Sequence, residues 1–413
     1  MMISAQGMTL FIYNLAIVPV IFFSIIFLVI AFLNLFISPE TRLPKLKKYP
    51  KISVQIPVYN DPIAAKCIRN CMKFDYPDFE IIIVDDSTDK KTSAALRIFS
   101  EKNPEIIKYI HRDNRAGFKP GALINAMSIT KGEVVVLFDS DWRPEKDFLQ
   151  KIVAPMQGDP NVAIVQARQG FCNDKTNLVS RFASYLLKIH HNLMMPIHSR
   201  ANSVFFCGTA GAIRRSALEK IGGWNDKSIT EDADLSVKLL SKGYKIVYIN
   251  VPVASEVPTT IEGFVKQQMR WCYGLTRTFF DNFHEIFTSK KLSFMQRMMI
   301  TYNTLGNMVS PVVILMTLSG TLGWFLGEPQ LFKPADLVDF GLKFVYTSGF
   351  LMLGGIALAR ENQLEDFPYL VLGTFTVSLV LVTFNSVAFI KAVLNQPLHW
   401  HRTPKTGSSN GPN

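Results

Sequence analysis

The sequence predicts an α/β domain, built on a mainly parallel sheet with helices on both faces, joined to about four membrane-spanning helices. Two observations carry this prediction. Between residues about 52 and 250, short and continuously apolar runs alternate with helical patterns, which is typical of a sheet covered on both faces. Long uncharged stretches flank this region on either side. With 413 residues, 48% of them hydrophobic, the chain has room for both parts.

The first uncharged stretch, Leu10 to Ile37, predicts a membrane anchor. It is long enough to cross a hydrocarbon core of about 30 Å with some tilt, and this length favours a span over the alternative of a buried core helix. Nothing basic precedes it and no clear small-residue cleavage pattern follows it, so we expect an anchor rather than a signal peptide.

A basic cluster follows the anchor in "SPETRLPKLKKYPK" and comprises Arg42, Lys45, Lys47, Lys48 and Lys51. By the positive-inside rule, the N-terminus is expected outside the cell and the following domain in the cytoplasm, as in a multi-pass protein of the cell membrane. Much of the net charge of +11 flanks apolar segments, so anionic lipid headgroups, not nucleic acid, are the expected partner. The five cysteines form no CxxC pair, which fits a reducing compartment and argues against a zinc site.

Six apolar runs are predicted as strands: "ISVQIPV", "FEIIIVDD", "IIKYIHR", "VVVLFD", "VAIVQA" and "KIVYIN". Helical patterns such as Asp61 to Phe74 and Pro120 to Thr130 separate them. In parallel sheets of this kind, ligands bind beyond the carboxyl ends of the strands. Polar residues at those ends are therefore the first candidates for a site.

The chain changes character from about residue 260. Amphipathic segments extend to Arg297, and three apolar stretches follow, namely Met298 to Gly327, Phe344 to Ala359 and Phe367 to Ile390. The middle stretch is short enough to be re-entrant. Three full crossings would leave the basic tail "HWHRTPKTG" outside, against the positive-inside rule, so we expect one of the first two not to cross simply.

The expected organisation has five parts. They are an N-terminal anchor with its basic linker (1–50), a cytoplasmic domain (51–258), interfacial amphipathic helices (259–297), a C-terminal transmembrane region (298–395) and a basic tail (396–413).

Two acidic clusters end two of the predicted strands: Asp85 with Asp86, and "DSD" with Asp139 and Asp141. Carboxylates just beyond a buried strand can share one hard cation with phosphate oxygens. A lone DxD is more often a turn or a helix cap. Here the clusters lie at like ends of neighbouring predicted strands, which favours a binding site.

The loop "HRDNRAGFKPGALINA" lies between the two acidic clusters. Lys119 and the amides at the start of the following helix could bind a diphosphate, or the loop could simply be solvated. Upstream, Tyr59 ends the first strand in "IPVYND". Its ring could stack on a nucleobase, although a lone tyrosine more often serves packing.

A third acidic cluster is "SITEDADLS". Thr230 could cap a helix whose first turn holds Glu231 and Asp232, and capping is all that many such clusters do. An aspartate here could instead accept the proton of an attacking hydroxyl as a general base. The preceding "FFCGTAGAIRR" contains small residues, among them Gly208, that would let an acceptor approach the backbone.

The segment "VKQQMRWCYG" places Gln267, Arg270 and Trp271 on one helical face. Arginine snorkels and tryptophan favours the membrane interface, so a surface helix explains the pattern by itself. With three acidic motifs upstream, we expect both: a helix at the membrane boundary whose functional face is turned to the site.

The order of these motifs resembles that of the membrane-embedded glycosyltransferases of family 2, the group of cellulose, hyaluronan and chitin synthases. The similarity covers about residues 50 to 280. It is closest to the mannan and glucomannan synthases of the cellulose-synthase-like A group, through "VQIPVYN", "VDDSTD", "RDNRAGFKPGAL", "GTAGAIRRSAL" and "GGWNDKSITEDADL". The resemblance implies a GT-A (Rossmann-like) fold, inverting transfer from a nucleotide-diphosphate sugar such as UDP-glucose or GDP-mannose, and Mg²⁺ or Mn²⁺.

The resemblance also implies residue roles. Asp232 would be the catalytic base, and Asp139 and Asp141 would hold the metal. The donor would be bound by Tyr59, Asp85, Asp86, Lys119, Asp139 and Arg270, and the acceptor by Trp271, Gln267, Glu231, Cys207 and Gly208. A sugar's C–H face packs well on an aromatic ring, which suits Trp271. "RTPKTG", with Thr403 and Lys405, is similar to a gating segment of the family.

The product is expected to be a β-linked polysaccharide. A single transfer to a lipid, as in ceramide-glucosyltransferase-like enzymes, is the alternative, and the motifs do not identify the donor sugar. A non-catalytic scaffold or export channel is a remote alternative. The four acidic positions, the arginine and the tryptophan argue against it, because such a protein has no physical need for them. Because the longer synthases contain more apolar segments, we expect a homo-oligomer or a short or lipid-linked product.

Overall fold

The computed structural model of the protein describes residues 4–37, 43–327 and 348–398, and a seven-stranded sheet lies at its centre. The strands are β1 (Ile52–Val58), β2 (Phe79–Asp85), β3 (Ile107–His111), β4 (Val134–Leu137), β5 (Val162–Phe171), β6 (Gly211–Arg214) and β7 (Lys245–Ser255). Their order is β3-β2-β1-β4-β6-β5-β7. The pairs β1/β2, β2/β3, β1/β4 and β5/β7 are parallel, and β6 is antiparallel to both β4 and β5.

All six predicted strands are present, and β6 is an addition to them. It has only four residues and begins with Gly211 and Ala212, which are weak strand formers, so it gives little sequence signal. Gly211 is required by packing, because a Cβ atom there would lie 2.6 Å from the Phe206 ring.

Helices cover both faces of the sheet, as predicted. In the α/β region they are α2 (Ala64–Cys71), α3 (Lys90–Lys102), α4 (Phe118–Met127), α5 (Phe148–Val153), α6 (Leu178–Ile189), α7 (Met195–Arg200), α8 (Arg215–Lys220) and α9 (Glu231–Ser241), after α1 (Ala5–Asn34) at the N-terminus. Alternate residues of β4 enter two separate cores. Val134 and Val136 pack in one, and Val135 and Leu137 in the other. This alternation explains why the strand is continuously apolar.

The remaining helices follow β7. They are α10 (Ile261–Asp281), α11 (Phe283–Thr288), α12 (Phe294–Leu305), α13 (Val309–Phe325), α14 (Gly349–Arg360), α15 (Phe367–Phe375) and α16 (Val377–Val393). α1 packs against α13 and α14, while α16 packs against α10. α10 thus joins the α/β domain to the apolar helices.

Among the described residues, two helices are long and apolar enough to cross a membrane: Ala5–Asn34 and the continuous Phe294–Phe325, which contains α12 and α13. A third candidate is the pair Leu364–Phe375 and Val377–Val393, bent by 46°. The predicted number of about four is therefore not confirmed. The predicted boundary after residue 297 falls inside a continuous helix, and the middle apolar stretch contributes only the short α14.

Candidate active site

A cavity of about 780 Å³ lies beyond the carboxyl ends of β1, β2 and β4. This is the edge at which the sequence predicts a ligand site. The structure brings most of the predicted residues together here. Those that line the cavity are Tyr59, Asp86, Lys119, Asp139, Asp141, Cys207, Glu231, Asp232, Gln267, Arg270 and Trp271.

Two predicted residues, Asp85 and Gly208, do not line the cavity, and the carboxylate of Asp85 is held away from it. It accepts hydrogen bonds from the Tyr109 hydroxyl (2.7 Å) and the Ser87 amide (2.9 Å), and it lies 3.1 Å from His111 Nδ1. Burial alone would raise its pKa, but these hydrogen bonds hold the pKa below its usual value. In this structure the Asp85 carboxylate is engaged by these neighbours, and the expected donor contact of Asp85 stays a prediction.

Asp86 points the other way, since consecutive residues of an extended chain alternate in direction. Its carboxylate oxygens accept from Arg112 Nε at 2.6 Å and Arg112 Nη2 at 2.5 Å. This two-point contact fixes the orientation of Asp86 at the cavity wall.

Lys119 lies at the centre of the charged groups. It is in the first turn of α4, after Gly117, which adopts φ +69° at the N-cap. Its Nζ atom donates to Asp139 Oδ1 (2.8 Å) and to the carbonyl of Gly208 (2.9 Å), and lies 3.8 Å from Glu231 Oε1. Burial lowers the pKa of Lys119, but the nearby carboxylates more than offset this and raise it. A full positive charge therefore stands between two acidic motifs.

The DSD turn is fixed from three sides. The Asp139 amide donates to Thr209 Oγ1 (3.0 Å), the Ser140 hydroxyl donates to Asp61 Oδ2 (2.5 Å), and Asp141 Oδ2 accepts from the Glu256 amide (2.9 Å). These partners come from the segments next to β6, β1 and β7. The predicted site did not include Asp61 or Glu256, because only the fold brings them to this turn.

The donor set at this turn fits a hard divalent cation. Within the three described ranges, no group of three or more His, Cys, Asp or Glu side chains could hold a metal by itself. Mg²⁺ and similar cations, however, are commonly bound by one or two carboxylates and by phosphate oxygens of the substrate. Asp139 and Asp141 both line the cavity and supply that minimum.

Glu231 and Asp232 begin α9; the side chain of Glu231 is buried and that of Asp232 is half-buried. Burial raises the pKa of Glu231 to about 7 and also raises that of Asp232, although the positive charge of Lys119 acts against both shifts. Asp232 Oδ1 accepts from the amide of Ala233 at 2.8 Å. A Cβ atom on Gly208 would lie only 2.8 Å from Asp232 Oδ2, so the absence of a side chain there leaves this carboxylate its space.

Thr230 occupies the N-cap position of α9, but its side chain makes no capping hydrogen bond. Its hydroxyl instead lies 3.3 Å from Thr278 Oγ1 of α10. A Cβ atom on Gly274 would come within 2.2 Å of Thr230 Cγ2. The predicted cap is thus replaced by a tight contact between α9 and α10.

One face of α10 is turned to the cavity. Gln267, Arg270 and Trp271 all line the cavity, and Arg270 is close enough for its charge to act on the pKa of both Glu231 and Asp232. α10 begins at Thr260, whose hydroxyl accepts from the Gly263 amide at 3.2 Å. The helix therefore presents one basic and one aromatic side chain to the acidic pair.

Tyr59 has a partner that the sequence did not reveal. The guanidinium carbon of Arg115 lies 3.3 Å from the centre of the Tyr59 ring, and Arg115 also lines the cavity. A nucleobase could stack on this face of Tyr59 only if Arg115 moved. Arg115 belongs to the basic loop before Lys119, but its cation–π contact depends on the tertiary fold.

His190, Leu186 and Leu187 also line the cavity, and no sequence motif marks them. Leu398, the last described residue, lines it as well. Thr403 and Lys405, the predicted gating residues, lie outside the described residues.

Comparison with known proteins agrees with this geometry. The model of "Glycosyl transferase family group 2" matches residues 134–354, more than half of the chain. "Probable glucomannan 4-beta-mannosyltransferase 7" of Oryza sativa subsp. japonica is 33% identical over 375 residues, which cover 88% of this chain and 63% of the relative. "Glucomannan 4-beta-mannosyltransferase 2" of Arabidopsis thaliana is 33% identical over 266 residues, covering 62% and 50%. The chain thus spans between 50% and 63% of these relatives.

Among solved structures, a mannosyltransferase from Pyrobaculum calidifontis, in complex with GDP-Man and Mn²⁺, superposes with a TM-score of 0.68 at 19% identity. The superposition covers 94% of this chain and 99% of that one. At this identity the likeness shows a shared fold. The predicted GT-A-like architecture is therefore confirmed.

Proposed function

We propose that this chain, which belongs to the glycosyl transferase family group 2, is an inverting membrane hexosyltransferase. It would take hexose from a nucleotide-diphosphate sugar and add it to a growing β-linked polysaccharide. One observation carries the proposal. A single cavity combines a half-buried aspartate, Asp232, with two cationic side chains, Lys119 and Arg270, and the DSD carboxylates. These are the groups needed to deprotonate an acceptor and to stabilise a departing diphosphate.

GDP-mannose is the donor that we propose first. The relatives are named as mannosyltransferases, and the structural neighbour is a complex with GDP-Man. Tyr59 and Asp86 would contact the nucleoside. Lys119 and Arg270 would contact the diphosphate, whose negative charge grows as the bond to the sugar breaks.

A divalent cation would be held by Asp139 and Asp141. When bound, Mg²⁺ or Mn²⁺ supplies positive charge to the diphosphate leaving group. Asp139 also accepts a hydrogen bond from Lys119, so the lysine is placed beside the same group. The clamped DSD turn keeps the two carboxylates in position before the donor arrives.

Asp232 would act as the general base. Its raised pKa makes it a stronger proton acceptor than an exposed aspartate. One carboxylate that acts as base suits inversion, in which the acceptor hydroxyl displaces the diphosphate directly. Trp271 would stack on the acceptor sugar, and Gln267, Glu231, Cys207 and Gly208 would complete that end of the site.

Transfer to a lipid-linked acceptor is the second candidate function. Leu186, Leu187 and Leu275 line part of the same cavity, so an apolar group could lie beside the reacting sugar. The sizes of the products separate the two candidates.

We also propose a membrane arrangement. The α/β domain, residues 51–258, would lie in the cytoplasm, with the N-terminus outside, the helices of 259–297 at the interface and those of 298–395 in a multi-pass region ahead of the 396–413 tail. The basic residues that follow α1 support this orientation. Two or three candidate spans among the described residues are few for polymer export, and a homo-oligomer would compensate for this.

The full-length protein, purified in detergent or nanodiscs, tests this function. We expect incorporation of labelled hexose from GDP-mannose, but not from UDP-N-acetylglucosamine, in the presence of Mn²⁺ or Mg²⁺. UDP-glucose is the second donor to compare. A chelator should abolish transfer and excess cation should restore it. If the protein transfers hexose from none of these donors, the proposed function is wrong.

Trp271→Ala should selectively weaken acceptor use. Loss of the stacking surface is expected to raise the KM for acceptor about tenfold, which corresponds to about 1.4 kcal/mol. The KM for donor should change little. Trp324→Ala is the matched control, since Trp324 is 62% exposed on α13. Unchanged acceptor kinetics in Trp271→Ala would contradict the stacking role.

A further inference from the structure

α6 continues into a π-helical turn, His190–Met194, before α7 begins. π turns are rare and occur frequently at functional sites, because the extra residue redirects a side chain. This turn places His190 at the wall of the cavity. Nothing proposed so far uses that residue.

The backbone of the turn is fixed by other parts of the protein. Three consecutive carbonyl groups accept from distant side chains: His191 from the Tyr248 hydroxyl (2.8 Å), Asn192 from Arg360 Nη1 (2.5 Å) and Leu193 from Asn34 Nδ2 (3.2 Å). These donors belong to β7, α14 and α1. The sheet and two apolar helices therefore determine the conformation of one turn.

The side chain of Asn192 adds further constraints. Its Nδ2 atom donates to Glu361 Oε1 at 2.8 Å, and its Oδ1 atom lies 3.4 Å from Arg168 Nη1. Arg168 and Glu361 also form an ion pair with each other. A partly buried polar network of this kind specifies one arrangement, because each unpaired member would be costly. The position of His190 is thus set by the fold.

The imidazole of His190 lies next to the acceptor half of the cavity. Its Nε2 atom is 4.0 Å from Cys207 Sγ. Cys207 precedes Gly208, where a Cβ atom would lie 2.8 Å from Asp232 Oδ2. A thiol is a weak hydrogen-bonding group. Burial lowers the pKa of His190 to about 4, so the ring is neutral at physiological pH. A neutral imidazole offers one donor and one acceptor, as a sugar hydroxyl does.

We propose that His190 is a further acceptor-binding residue, whose imidazole hydrogen-bonds a hydroxyl group of the acceptor sugar. Trp271 would provide the stacking surface, and His190 would distinguish acceptors by the position of their hydroxyls. This inference rests on the proposed function, because the acceptor is the glycan that the enzyme extends. It applies equally to a polysaccharide and to a lipid-linked sugar.

The test compares His190→Gln with His190→Met in the full-length protein. The two side chains have similar length, but only glutamine can hydrogen-bond, so a packing role would affect both alike. We expect His190→Met to raise the KM for acceptor about tenfold or more relative to His190→Gln. The KM for GDP-mannose and its slow hydrolysis without acceptor should be the same in both variants. His284→Ala, on the exposed side of α11, is the control.

Equal acceptor KM values in the two variants would overturn the role of His190. An equal loss of donor binding would do the same, since it would place His190 at the donor. If His190→Met fails to fold, as shown by its melting curve, His190→Ala is compared with His190→Gln by the same measurements. Absence of hexose transfer in the wild type would instead reject the proposed function, and this inference with it.

Discussion

Replacement of Asp232 by asparagine is expected to lower the rate of hexose transfer by about 10²- to 10⁴-fold, the usual contribution of a general base. Asparagine keeps the shape and the hydrogen bond from the Ala233 amide, which reaches Asp232 Oδ1 at 2.8 Å, but it cannot accept a proton. GDP-mannose binding should remain measurable by calorimetry, because the proposed phosphate contacts are Lys119 and Arg270. Asp78→Asn, at an exposed surface position, is the matched control.

The pH dependence of the transfer rate is a second test of Asp232. Only the carboxylate form of Asp232 can act as base, so transfer should decline as the pH falls through its pKa. Because burial raises this pKa, the decline should begin at a higher pH than for an exposed aspartate. Wild-type rates in Asp232→Asn, or a profile unchanged by that substitution, would exclude Asp232 as the base.

Gly208→Ala is expected to lower kcat about 100-fold, although residue 208 takes part in no bond-making step. Gly208 adopts φ +76°, and a Cβ atom would lie 2.8 Å from Asp232 Oδ2. Alanine would therefore strain the backbone and displace the base. It would also shift the Gly208 carbonyl, which accepts from Lys119 at 2.9 Å.

The control for Gly208→Ala is Gly158→Ala, where a new Cβ would meet no atom within 4 Å. Steady-state kinetics and thermal unfolding of both variants separate a local from a global effect. We expect Gly158→Ala to match the wild type in both measurements. A wild-type kcat in Gly208→Ala would show that the close approach of residue 208 to Asp232 does not affect the rate of transfer.

The sequence allowed most of the sheet to be predicted, because parallel strands covered on both faces are continuously apolar. β6 was not predicted, since four residues beginning Gly-Ala carry little signal. The single span expected for Phe367 to Ile390 is broken at Thr376, where the chain bends by 46°. Neither proline nor glycine stands at position 376 itself, although Gly373 lies three residues before it.

The candidate site was predictable where a motif coincides with a strand end or a helix face. Asp86 follows this rule, and so does the face of α10 that carries Gln267, Arg270 and Trp271. Asp85 does not, because two adjacent carboxylates at a strand end point to opposite sides, and the resemblance did not separate them. Arg115 and Asp61 lie inside quoted motifs, but their contacts with Tyr59 and Ser140 join segments that are distant in sequence. No motif marks His190.

The contact between Thr230 and Gly274 has a mechanical consequence. With a Cβ atom excluded at Gly274, the start of α9 lies directly against the middle of α10, so Asp232 and Trp271 stand on two helices in close contact. If Asp232 is the base and Trp271 holds the acceptor sugar, as proposed, this contact would keep the distance between the acceptor hydroxyl and its base constant when α10 shifts along the bilayer.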